Sequence, residues 1–126
     1  MSTWSAISEA EIWELINKAW TEMDLPQRRL WEIIKIEPVK WEQTPYGTEG
    51  GGFWVVAIYG SAVVWFNDIE DGFNRSAWTT HGVIDEYWCN QDELQWTIQH
   101  ILRACPKSLK RVYFTSLPSI SLQEAT

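Results

Sequence analysis

The sequence predicts an α+β fold: a two-layer domain with an N-terminal helix, an antiparallel β-meander of about four to five strands, and a C-terminal helix packed on the sheet. Three observations lead there. Apolar residues recur at helical spacing near both ends of the chain. The middle consists of short apolar or alternating stretches of strand length, and glycine-containing turns separate them. The 126 residues fall at the common size of one domain, and no composition shift marks a boundary, so 1–126 is expected to fold as one unit.

The first helix is expected over 8–22. Ser8 is the N-cap and Glu11 stands at N3 as a capping box, with Ile7 poised to pack on Ile12. Ile12, Leu15, Ile16, Ala19 and Met23 form its apolar stripe, flanked by Trp13 and Trp20, and Pro26 is expected to close the element. From Arg29 the period changes. Residues 31–37 and 39–42 read as strand, and Pro38 between them requires an edge or a bulge. Residues 43–52 form a long glycine-rich connection. Residues 53–59 and 62–66 form a hairpin through Gly60 and Ser61, apolar on both faces. Asn67 to Gly72 is an acidic turn, and 73–80 is a further strand. The second helix is expected to start at an Asn90 N-cap with Glu93 at N3. Leu94, Ile98, Ile101, Leu102 and Cys105 are its buried stripe, and Pro106 ends it. Residues 111–116 complete the reading as a short strand.

Ten tryptophans are spread over almost every segment, and the formal charge is −7. Trp offers a large apolar face and one indole donor, which suits cores and contact surfaces and implies no reaction chemistry. The charge is uneven. Asp68, Glu70, Asp71, Asp85, Glu86, Asp92 and Glu93 face only Arg75 in the same stretch, whereas Arg103, Lys107, Lys110 and Arg111 form a basic run. An acidic protein repels a polyanion, which argues against nucleic acid and for a basic protein partner. No apolar run reaches the roughly 18 residues of a membrane helix, and the first residues lack the basic and apolar regions of a signal peptide. With no disulfide framework indicated by Cys89 and Cys105, the expectation is a cytoplasmic protein without a membrane partner.

Residue types that could carry chemistry are present, but their spacing is wrong. The turn Asn67-Asp68-Ile69-Glu70-Asp71-Gly72 departs from the calcium-loop ligand order. His81, Cys89, His100 and Cys105 are spaced 8, 11 and 5 apart, unlike the close pairs of zinc sites. The glycine run 47–52 contains Glu49 and leads into a strand, unlike a phosphate loop. No catalytic residue, metal ligand or cofactor is therefore assigned. Trp54 and Trp65 are expected to share a face of the hairpin, with Trp78 beside them, as core in preference to a sugar-stacking row. Trp96 is expected opposite the apolar stripe of its helix, beside His100 and Arg103, which is how an interaction hot spot is built.

Two segments, 63–74 and 87–94, have the look of family signatures. In size, acidity and helix–meander–helix order the chain resembles small bacterial immunity proteins that neutralise toxins. That resemblance implies a non-catalytic inhibitor of a basic toxin or enzyme. Its partner surface is expected to use Asp68, Glu70, Asp71, Asp85, Glu86, Trp96 and His100. Two other readings fit the same residues: a homo-oligomeric accessory protein, such as a homodimer pairing through an apolar sheet face, and a small hydrolase using paired carboxylates with His81.

Overall fold

Asp24 divides the N-terminal region into two helices where the sequence pattern suggests one. A computed structural model of the protein describes residues 5–104. Helix α1 (Glu9–Glu22) has the expected capping box: the Glu11 amide donates to Ser8 Oγ and the Ser8 amide to Glu11 Oε1. It ends at Met23, and Asp24 then caps α2 (Leu25–Ile34) through a second capping box with Gln27. Pro26 therefore opens a helix, not closes one, because a first-turn residue needs no amide donor. Gln27, Leu30, Trp31 and Ile34 are its buried stripe. The expected strand over 31–37 is corrected for 31–34, which are helix, whereas 35–37 are strand; the β-branched Ile33-Ile34 pair masks a helical period. Arg28 ties the two helices by donating to the Trp20 carbonyl, with its guanidinium 4.8 Å above the Trp20 ring.

Four antiparallel strands follow in meander order: β1 (Lys35–Trp41), β2 (Phe53–Tyr59), β3 (Ala62–Asn67) and β4 (Gly72–Ala77). Strand β1 is an edge strand and its register shifts between Lys35 and Val39, so Pro38 has both contexts that spare a ladder donor. A second irregularity lies between Val55 and Ala57, and it decides which tryptophans are core. Regular pairing from the Gly60-Ser61 turn would put Trp54 and Trp65 on one face. The shift pairs Val55 with Trp65 and Trp54 with Phe66, so the two tryptophans face opposite sides, which corrects the shared-face expectation.

On one face, Val56, Ala57, Val64, Phe66 and Phe73 pack with residues of α1, α2 and α3 (Leu94–Ala104), among them Ile12, Ile16, Leu30, Trp31, Leu94 and Ile98. On the other, Trp41, Phe53, Val55, Val63 and Trp65 form a second core with Ile84. What covers this second face is the irregular segment 78–92, here called the strap, together with the 43–52 loop, whose Tyr46 stacks on Tyr87 at 4.0 Å. Within the strap, the Ile84 amide donates to the Glu42 carbonyl beyond β1, and the next amide, Asp85, donates to Ala77 in β4. Consecutive residues thus join both edges of the sheet, which curls it around the second core. Both sheet faces are occupied by the chain's own side chains.

The strap is held to β3 and β4 mainly by side chains. Asn67, fully buried, donates from Nδ2 to Tyr87 Oη and the Trp88 carbonyl, both at 2.9 Å, while its Oδ1 accepts the Ile69 and Glu70 amides that close the turn. Asn74 accepts the Asn90 amide at 2.9 Å and donates to the Asn90 carbonyl. Ser76 Oγ accepts from Trp65 Nε1 and donates to the Glu86 carbonyl, each at 2.8 Å. Asn90 is consequently strap, not N-cap: the helix begins at Leu94, and the Glu93 carbonyl accepts the Trp96 and Thr97 amides. The expected stripe Leu94, Ile98, Ile101 and Leu102 is buried; Cys105, Pro106 and the strand at 111–116 lie outside the described residues.

Gly72 sits under this strap with no room for a side chain. A Cβ there would overlap the Asn90 carbonyl and Gln91 Cα, both backbone and unable to swing aside. Gly72→Ala should therefore cost about 1–3 kcal/mol or more by forcing the strap outward. Urea unfolding should show that loss, and a change of a few tenths would contradict the tight approach.

Candidate functional site

Helix α3 and the strap enclose an open cleft of about 500 Å³ beside β4. The helix supplies Thr97 and His100, the strap supplies Glu86, Trp88, Asn90 and Asp92, and β4 supplies Arg75. Because Asn67 holds the Trp88 carbonyl inward, the Trp88 indole is directed out, 48% exposed. On α3, Trp96 and His100 are four residues apart and so share a helical face. Trp96 is 52% exposed, as the sequence suggests, opposite the buried stripe. His100 Nδ1 lies 3.8 Å from Asp92 Oδ2, a loose pairing on a half-exposed surface.

The expected partner-binding residues fall into two groups. Glu86 and His100 line this cleft, with exposed Asp85 next to Glu86 along the strap. Glu86 also has a structural role, since its Oε1 accepts the Ala77 amide. Asp68, Glu70 and Asp71 occupy the β3–β4 turn, where Asp71 lines a second pocket against α1. Asp92 and Phe73 line both pockets and form the wall between them. Trp88, Asp92 and Arg75, which line the cleft, are missing from the expected partner surface. Trp88 and Asp92 lie in the signature-like 87–94 segment, the one signal that points to them.

Asp68 is partly buried in the β3–β4 turn. It accepts the Ile7 amide at 2.9 Å, anchoring the chain before α1 to the turn. Trp54 Nε1 donates to the carbonyl of the same Ile7, also at 2.9 Å. Burial raises the Asp68 carboxyl above its ordinary range, and the Ile7 amide and the Lys40 charge only partly offset this.

Chemically, the cleft offers hydrogen bonding, charge and an indole face. His81 packs against Trp41 and Trp78, with ring centroids at 4.9 and 6.0 Å, and Cys89 is exposed and reduced. Among the described residues, no histidine is hydrogen-bonded to a hydroxyl or thiol, and no three His, Cys, Asp or Glu side chains gather as a metal site. Nor is any described helix long and apolar enough to cross a membrane. No protein-family model matches the chain, and no curated protein or solved structure is significantly similar to it.

The raised Asp68 pKa has a definite sign for stability. Its charged form is penalised in the fold, so the penalty is absent below the unfolded carboxylate pKa and complete above the folded one. Asp68→Asn keeps an oxygen for the Ile7 amide and removes the charge. Its stability relative to wild type should therefore rise between pH ~3 and pH ~7, measured by urea unfolding. A difference unchanged across that range would contradict the assignment.

Proposed function

We propose that this is a non-catalytic binding protein that docks a basic protein, in the manner of an immunity-type inhibitor of a basic toxin or enzyme. The observation that carries this reading is the exposure of two indoles, Trp88 on the strap and Trp96 on α3, with exposed Asp85 and Glu86 also on the strap and Asp92 beside His100. A half-exposed Trp forgoes burial that a core position would provide, and Trp is among the residues most enriched at the energetic centres of interfaces. Neither indole has a ring or cation partner among the described residues. Glu70, Asp71 and Asp85 likewise make no ion pair among them. Unpaired carboxylates together with exposed aromatic anchors complement a surface rich in Lys and Arg, and the carboxylates steer its approach.

The test is binding kinetics with the partner recovered by affinity capture from the native host and then purified. Trp96→Ala should weaken the complex by about 2 kcal/mol, roughly thirtyfold, mainly through faster dissociation. Glu70→Lys combined with Asp85→Lys should slow association about tenfold at low salt and flatten its salt dependence. Affinity and association rate indifferent to both variants would overturn the reading.

A further inference from the structure

The outer edge of β4 carries an open rung. In an antiparallel ladder alternate residues exchange both hydrogen bonds with the neighbouring strand, and the residues between them point both groups away. Phe73 and Ala77 are of the second kind. The Phe73 amide donates to the Asp92 carbonyl, the Ala77 amide to Glu86 Oε1, and the Ala77 carbonyl accepts the Asp85 amide. Arg75 lies midway between them, in a register unbroken from the Ala62–Ala77 pair to the Asn67–Gly72 pair. Its N–H and C=O therefore also point out of the sheet, and neither has a partner among the described residues.

The strap leaves this rung open because it has more residues between Asp85 and Asp92 than β4 has between Ala77 and Phe73. The surplus bows over the second core, where the Asn74 and Ser76 side chains hold it. What remains beside Arg75 is the cleft of about 500 Å³. An edge residue with both groups free is a template for another chain, and pairing gives a main-chain ligand two hydrogen bonds to one residue. At the other edge of the sheet, β1 is blunted by Pro38, which has no donor. The strand from Phe73 to Ala77 is about 13 Å long, so an inserted segment is limited to roughly three extended residues. Its central side chain falls on the same face as Arg75 and suits a small, uncharged residue. The two flanking side chains point to the strap side, from which Glu86 and Trp88 line the cleft. A carboxylate and an indole face there suit Lys or Arg.

We propose that this cleft binds a short, extended, basic peptide segment by its main chain, one residue of it exchanging both hydrogen bonds with Arg75. This rests on the binding function proposed above and adds its mode: the basic partner presents a loop or strand end beside the Trp88 indole. The probe is acetyl-Lys-Ala-Lys-amide, titrated into the full ¹⁵N-labelled chain, and its control is the same peptide methylated on every peptide nitrogen. The probe should shift the Arg75 amide saturably in the millimolar range and slow its hydrogen exchange. The methylated peptide keeps the charge and loses the donors, so it should bind roughly tenfold more weakly. Arg75→Pro removes the amide at an outward-facing edge position, where no ladder bond is lost, and should weaken the probe to the same extent. Arg75→Ala keeps the rung and removes a like charge, so it should bind the probe at least as tightly as wild type.

An Arg75 amide already protected from exchange in the free protein would overturn the proposal, because the chain itself would then occupy the rung. So would equal binding of the methylated peptide. The last arm measures the purified partner, which should protect the Arg75 amide and bind Arg75→Pro roughly tenfold more weakly than Arg75→Ala. If the partner is indifferent to Arg75→Pro yet sensitive to Trp96→Ala, the cleft proposal fails and the binding function stands. If the tripeptide pairs with Arg75 but no basic protein binds, the binding function fails and the ligand of the rung is a free peptide.

Discussion

Two buried asparagines, Asn67 and Asn74, determine where the strap runs, and most of the molecule's distinctive surface depends on that path. Each carries out two tasks with one carboxamide. Asn67 closes the β3–β4 turn with Oδ1 and holds Tyr87 and Trp88 with Nδ2. Asn74 engages both the amide and the carbonyl of Asn90. Over 86–91 the strap makes no backbone–backbone hydrogen bond among the described residues, so its peptide groups there need partners from side chains, and buried amides can supply them in both directions. Removing one would leave peptide groups of the strap without partners, a larger loss than that of an ordinary hydrogen bond.

This clamp links the two cores and the two pockets. By fixing 87–90 against β3 and β4, it seats Ile84 and Tyr87 over Trp65 and the rest of the second core. The same path directs the Trp88 indole outward and delivers Asp92 to the wall shared by both pockets. It also sets the start of α3, because Phe73 donates to the Asp92 carbonyl immediately before the helix. The orientation of Trp96 and His100 is thereby tied to β4. A binding surface assembled from a strap and one helix gains its preorganisation from this tie.

Much of the fold was legible because its signals are local. The Ser8–Glu11 capping box, the α1 and α3 stripes, the Gly60-Ser61 hairpin and the acidic turn all act within a few residues, and all are present. What was illegible depends on distant partners. One exception is local: the Asp24–Gln27 capping box makes Pro26 a first-turn residue where its type alone suggests a stop. Asn90 has the sequence signature of a helix cap, but Asn74, 16 residues earlier, takes its backbone instead. The facing of Trp54 and Trp65 turned on one irregularity in β2 that no composition announces. At the candidate site, the acidic character and the Trp96 exposure could be read from charge and helical period. Trp88 and the pocket beside α1 could not, since both arise where the strap meets α3 and α1.

The clamp is tested most directly by amide hydrogen exchange along 84–92 in the wild type and in Asn74→Ala. In the wild type, the Asn90 amide should exchange far more slowly than its neighbours Cys89 and Gln91, for which no acceptor is present among the described residues. In Asn74→Ala, that protection should vanish while Val55 and Val64 in the central strands retain theirs. An Asn90 amide that exchanges as fast as Cys89 in the wild type would contradict the account.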